Sequence, residues 1–185
     1  MTKPIKAVKK KWIKILAPKE FKNQAVGETL VSDPQKAIGK VVEVNLFELT
    51  RDPRKQSSRL SLVINEIKND QAYTEIKRYK ILDAHLKRLL KPGKEKIMDY
   101  FNVQTKNKKL IVKLFLLTRN KTTRTICTAL RKESRNFFED YSKKIEASSV
   151  FNDVISGDIL RTLKAHLKKI YPINICEVST LEIKK

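Results

Sequence analysis

The chain has 185 residues, of which 41 are Lys or Arg and 20 are Asp or Glu, for a net charge of +21. A hydrophobic fraction of 41% is enough for a core, which excludes a wholly disordered chain, and the length fits one domain with or without a tail. A positive excess of this size repels itself in a compact fold and points to a polyanion, whose phosphates turn repulsion into attraction and release condensed counterions.

Residues 1–19 hold seven Lys and no acid, with Pro4 and Pro18 interrupting any helix. They are assigned as a basic N-terminal arm, its first ten residues disordered when free, ahead of a single RNA-binding domain over 20–185. Lys3, Lys6, Lys9, Lys10 and Lys11 are its candidate RNA contacts. Trp12 has the shape to stack on an unpaired base, but its neighbours Ile13, Ile15 and Leu16 favour a role in anchoring the arm.

Strand signals follow. Val42, Val44 and Leu46 alternate with polar residues, as do Leu60, Leu62 and Ile64, and 72–81 is a third alternating segment after the turn Asn69-Asp70. Between the first two lies the polar loop 50–59, broken by Pro53, whose Arg51, Arg54, Lys55 and Arg59 form a second candidate contact. From Asp83, read as an N-cap, the period changes to a short helix with Leu86, Leu89 and Leu90 on one face and Lys87, Arg88 and Lys91 on the other, ended by Pro92-Gly93.

Phe101 and Val103, then 110–117, predict two strands joined by the turn Lys106-Asn107-Lys108-Lys109. The last third is helical: Leu130, Phe137, Phe138, Tyr141 and Ile145 predict one apolar stripe. Ile159, Leu160, Leu163, Leu167 and Ile170 predict a second, starting near Ser156-Gly157-Asp158 and stopped by Pro172. A final strand is expected over 173–178. The fold class is therefore α+β: an antiparallel, β-barrel-like core flanked by helices, with a basic arm.

The densest electrostatic signal lies between Asp99 and Glu133, where 33 residues contain nine cations and no acid. Its candidate contacts are Lys106, Lys108, Lys109, Arg119, Lys121, Arg124, Arg131 and Lys132, with Lys113 on the intervening strand. The Thr122 and Thr123 hydroxyls and open amides at a strand-to-helix turn are further phosphate ligands. The cations total 31 Lys and 10 Arg, and Lys suits backbone neutralisation better than bidentate base reading.

Catalytic and metal chemistry find no foothold. His85 and His166 sit among Lys and Leu without ligand-spaced partners, and none of the four glycines builds a phosphate loop. Cys127 lacks an identifiable His partner, and with Cys176 it suggests a reduced, cytoplasmic setting rather than a zinc site. No catalytic residue, metal or cofactor is expected. The longest apolar run, 110–117, is broken by Lys113 and too short for a bilayer, so no membrane partner is expected either.

Landmarks in a fixed order then carry a resemblance. Lys11-Trp12 is followed by Ala17-Pro18 and Phe21, by Gly27-Glu28-Thr29, by Asp33-Pro34 with Ile38-Gly39, and by Val42-Glu43-Val44-Asn45-Leu46 with Glu48-Leu49-Thr50 and Asp52. Further on come Ala72-Tyr73-Thr74-Glu75 with Lys77, Leu86 with Leu89, Lys91 and Gly93, Lys121-Thr122-Thr123, Leu130-Arg131-Lys132, and Lys168-Lys169-Ile170-Tyr171-Pro172. Over about 10–178 the chain resembles the archaeal and eukaryotic small-subunit ribosomal protein family S-three-a-e (e-S-one in the unified scheme).

The resemblance implies a structural constituent of the small ribosomal subunit, on its platform near the messenger exit. Its partners would be the 3′ region of the small-subunit rRNA, neighbouring platform proteins and mRNA near the exit. Two departures matter: 173–178 has no cation where the family has a basic strand, and the turn 106–109 lacks the family's Asp-Gly. The long C-terminal extension of eukaryotic members is also missing, so an archaeal-type or reduced form is expected. The alternative is a free RNA-binding chaperone or translation factor that visits ribosomes transiently.

Overall fold

The computed structural model describes residues 10–184, so Lys3, Lys6 and Lys9 lie outside the described residues. In chain order the elements are β1 (Lys11–Leu16), β2 (Ala25–Val31), β3 (Val41–Asn45), α1 (Leu46–Thr50), β4 (Ser58–Lys68), β5 (Gln71–Ile81) and α2 (Asp83–Leu89). They continue with β6 (Lys96–Gln104), β7 (Lys109–Thr118), α3 (Arg124–Ser142), α4 (Ala147–Ser156), α5 (Asp158–Leu167) and β8 (Ile173–Ile183). The result is the expected α+β class, a mainly antiparallel sheet core with flanking helices. Its hydrogen-bonding order among the described residues, β2-β1-β5-β8-β7-β6 with β4 beside β3 and β5, is an open path rather than a closed barrel.

Contacts divide the chain into two units, Met1–Gln56 with Leu60–Lys77, and Ser57–Arg59 with Arg78–Lys185. In the first, β1 and β2 form an antiparallel hairpin from Lys11↔Val31 to Leu16↔Ala25, and β1 also pairs in parallel with the start of β5. Period-2 alternation explains why a lysine-rich stretch makes a strand. Ile13 and Ile15 point into a core of Val31, Ala37, Ile64 and Ala72, while Lys14 points out. Strand β1 thus lies inside the stretch assigned from sequence to the arm. The anchoring falls to Ile13, fully buried, and Ile15 rather than to Trp12, which is 64% exposed.

In the second unit, β6 and β7 pair from Lys96↔Leu117 to Gln104↔Lys109, and β7 pairs with β8 along nearly its whole length. One face of β6–β7 is apolar and lies under α3: the Phe101 and Phe138 rings are 5.6 Å apart, and Arg135 grips Asp99 with two bonds of 2.7 and 2.6 Å. The buried stripe of α3 is Cys127, Leu130, Ser134, Phe138 and Ser142, so the predicted stripe is one position out after Leu130. Phe137, Tyr141 and Ile145 are only half-buried. Two serines on the core face disguised the register; Ser134 is accommodated because its hydroxyl donates to the Leu130 carbonyl at 2.7 Å.

Three further expectations shift. The helix read as starting at an Asp83 cap has Leu82 in the cap position, with Asp83 in the first turn where its charge suits the helix dipole. Ile170 lies beyond the end of α5 and is exposed. Helix α4 is an addition: it buries Ala147, Val150, Phe151 and Val154 at helical spacing, and stops at Gly157, whose φ of 86° is the left-handed C-cap that lets α5 begin at once. The last strand is longer than 173–178. It lies between β5 and β7, with Cys176, Val178, Ser179, Thr180 and Leu181 buried, which accounts for its lack of cations.

Candidate nucleic-acid interface

Each unit presents its own cations. In the first, Lys10, Lys11 and Trp12 are exposed at the start of β1. The loop after α1 is fastened by side-chain hydrogen bonds. The Asn45 side chain accepts from the Phe47 amide at 3.1 Å and donates to the Gln56 carbonyl at 3.2 Å, and Asp52 accepts from the Arg54 amide at 3.0 Å. Arg51 caps α1 in the left-handed region at φ 54°. Arg51 and Arg54 are exposed and Lys55 half-buried. Arg59, on β4, belongs to the second unit.

In the second unit Leu86 is the buried side of α2, leaving Lys87, Arg88 and then Lys91 exposed. The 33-residue acid-free stretch is not one patch. Strand β7 separates its two ends by roughly 30 Å, ten residues at about 3.4 Å each. At one end is the turn with Lys106, Lys108 and Lys109. Buried Thr105 donates to the Lys108 carbonyl at 2.5 Å, and the Asn107 side chain accepts from the Ala147 amide at 3.0 Å. Asn107 thereby fastens the turn to the start of α4. Lys184 joins this end through its amide bond to Lys109, and the connection after α3 joins it through the bond from the Lys106 amide to the Ile145 carbonyl.

At the other end are Arg119, Lys121 and Arg124. Thr118, fully buried, accepts from the Glu95 amide at 2.9 Å and donates to the Asn120 carbonyl at 2.7 Å. The Arg119 amide donates to Pro172, and the Tyr171 hydroxyl to the Lys121 carbonyl at 3.3 Å. These bonds bring Tyr171 and Pro172 beside Lys121 and Arg119; exposed Lys168 and Lys169 precede them in the chain, and sequence reasoning did not assign either lysine a contact. The signal was available in Lys168-Lys169-Ile170-Tyr171-Pro172, but only the fold shows what that segment touches. Thr123 caps α3 without a side-chain bond, the first turn of α3 has no acid, and the Thr122 hydroxyl is buried without a partner among the described residues. Amides and cations there converge on the positive end of a 19-residue helix. Arg131 is half-buried and Lys132 exposed further along it.

The groups with chemical potential lie elsewhere. Burial pushes the Cys176 thiol up to about 12 and raises the Glu177 carboxyl, the latter opposed by Lys164. Burial also lifts Tyr79 to about 12, against the opposing 3.2 Å bond with Ser58. His166 lies 3.6 Å from Glu133 and against the Phe137 ring. Among the described residues no three His, Cys, Asp or Glu gather as a metal site, and no helix is long and apolar enough to cross a membrane.

The family model described as the Ribosomal S3Ae family matches residues 4–185. Similar curated proteins include the small ribosomal subunit protein eS1 of Nanoarchaeum equitans, 31% identical over 89% of this chain and 83% of its own. The same-named proteins of Haloarcula marismortui (27% identical) and Methanothrix thermoacetophila (29%) each match over 94% of this chain and 83% of their own.

Proposed function

The chain belongs to the Ribosomal S3Ae family, and from that premise we infer that it is a structural constituent of the small ribosomal subunit in the cytoplasm, held in place by small-subunit rRNA. The observation that carries the reading is the distribution of the surplus charge: lysines and arginines crowd both ends of β7 and the start of α3, on backbone pinned by buried Thr105 and Thr118. Cations carried on hydrogen-bonded backbone spare the cost of ordering that backbone on meeting phosphate, which suits a scaffold better than a transient visitor.

The finer placement is part of the same proposal. The 3′ region of the rRNA, neighbouring platform proteins and mRNA near its exit are the partners, and the role is architectural rather than catalytic. Lys3, Lys6 and Lys9 extend the arm ahead of β1. Arg51, Arg54 and Lys55 form one contact, Lys87, Arg88 and Lys91 another, and the stretch from Arg119 to Lys132 the largest, with phosphate oxygens on the open amides of α3.

Salt-washed small subunits containing the full chain in near-stoichiometric amount are the expected result, with the crosslinked RNA mapping to the small-subunit 3′ region. Release at moderate salt, or failure of the purified chain to bind structured rRNA at low ionic strength, overturns the reading.

A further inference from the structure

On the face of β6–β7 turned away from α3, Phe115 and Leu117 of β7 are buried, while the β6 side chains are exposed. Pairing sets which side chains share it: Lys96 opposite Leu117, Met98 opposite Phe115, Tyr100 opposite Lys113, Asn102 opposite Ile111, and Gln104 opposite Lys109. Tyr100 is 54% exposed and Met98 50%, among the largest exposed apolar surfaces of the described chain. They are solvent-facing by alternation, since Ile97, Phe101 and Val103 on the same strand are buried on the other face. Strand β6 ends the pairing order, so its outer edge is open to a ligand.

The charges on this face have one sign. Its β6 and β7 residues supply Lys96, Lys109 and Lys113 and no carboxylate; Asp99 points to the other face and is held by Arg135. Two acids approach from β8: Glu182 opposite Ile111, bound by Arg78 at 2.7 Å, and half-buried Glu177 opposite Phe115, beyond the buried part of the face. The Lys113 ammonium stands 5.9 Å from the centre of the Tyr100 ring, within cation–π range. An aromatic ring ringed by lysines and amides, without an acid, is a poor protein-interface core, where Lys is depleted. It matches a single-stranded nucleic acid, which offers a flat base to the ring and a phosphate to each ammonium.

We propose that Tyr100 is a stacking platform for an unpaired RNA base, with Met98 packed on the same base and Lys113 and Lys109 on the flanking phosphates. The four residue steps from Lys109 to Lys113 span about 13 Å, enough to follow two nucleotides of an extended strand coming off the basic turn at Lys106–Lys109. Asn102 and Gln104 lie beside that track with free faces for base edges. In the unbound protein the Lys113 ammonium covers the ring, and on binding it moves to phosphate while the base takes its place. This proposal rests on the rRNA-binding reading and adds a site for a single strand that adjoins the cation cluster at Lys106–Lys109 and shares Lys109 with it.

The test uses the full chain and two probes, a fluorescein-labelled eight-nucleotide single-stranded RNA of mixed sequence and a structured fragment of small-subunit rRNA. Tyr100→Ala is expected to weaken single-strand binding about tenfold with no change in salt slope, and Tyr100→Phe to stay within about twofold of wild type, because the ring and not the hydroxyl carries the contact. Lys113→Gln should flatten the single-strand salt slope by roughly 0.7, one phosphate's worth. None should move structured-fragment binding or the thermal midpoint, the positions being exposed.

Wild-type single-strand affinity in Tyr100→Ala overturns the platform, as does an equal loss in Tyr100→Phe. Intact RNA binding combined with failed incorporation of Tyr100→Ala into subunits would assign the face to a protein neighbour and also reject it. A wild-type chain that ignores the structured fragment would instead sink the broader reading, so the two failures are distinguishable.

Discussion

At the scale of single residues, the polar groups inside the second unit do most to define its shape. Thr118 and Thr105 sit at opposite ends of β7, and each turns a buried hydroxyl into the fastening for an adjacent basic segment. Leaving their partners unsatisfied would cost about 1–3 kcal/mol apiece. Glu177 shows the opposite situation, a carboxyl raised by burial with Lys164 as partial relief. An acid that holds its proton to higher pH in the folded than in the unfolded chain gives a native state that binds more protons between the two values. Stability therefore falls as pH rises through that window from the ordinary carboxylate value of 4.5. Glu177→Gln should remove that fall. Urea midpoints of wild type and variant should converge near pH 4 and separate by pH 7, with the variant the more stable. A variant equally stable or weaker at pH 7 would show that Lys164 fully compensates the burial.

Helix α3 is the element on which fold and function meet. Its N-terminus opens onto the basic segment, its middle clamps β6 through Arg135 and Asp99, and its end leads to the turn of the β6–β7 hairpin. Tyr141 extends the same role by donating to Asp153 of α4 at 2.6 Å. The register of the buried stripe is a testable point. Phe138→Ala should cost about 3–5 kcal/mol, because a fully buried ring leaves a cavity against Phe101. Phe137→Ala, at a half-buried position, should cost clearly less in the same chemical denaturation. Equal costs would mean that the helix sits in the frame suggested by Phe137, Tyr141 and Ile145.

On the scale of the whole molecule the net charge is +21, and within the second unit the cations lie in separate patches rather than one. Within the second unit the two ends of β7 are far enough apart to act independently. A variant with Lys106 and Lys109 changed to Gln and another with Arg119 and Lys121 changed to Gln should each flatten the salt dependence of structured-RNA binding by up to roughly 0.9 per lost contact. The combined variant should show the sum, and all three should keep the wild-type thermal midpoint to within a few degrees. A combined effect no larger than one of its parts would mean that only one end meets RNA.

Much of this protein was readable from the chain alone. Alternation located β3 to β7, and the surplus of lysine named the kind of partner, because charge and period-2 or period-3.6 patterns are local properties that survive any folding. Helix α4 and strand β1 were not recognised, the first for want of charged punctuation and the second because lysines masked the Ile13 and Ile15 alternation. Three matters belonged to tertiary structure. Folding split the acid-free stretch across the length of β7, brought Tyr171 and Pro172 to Lys121 and Arg119, and left Tyr100 and Met98 exposed beside Lys113. Each depends on which strands pair and which face a helix covers, and residues far apart in sequence settle that together.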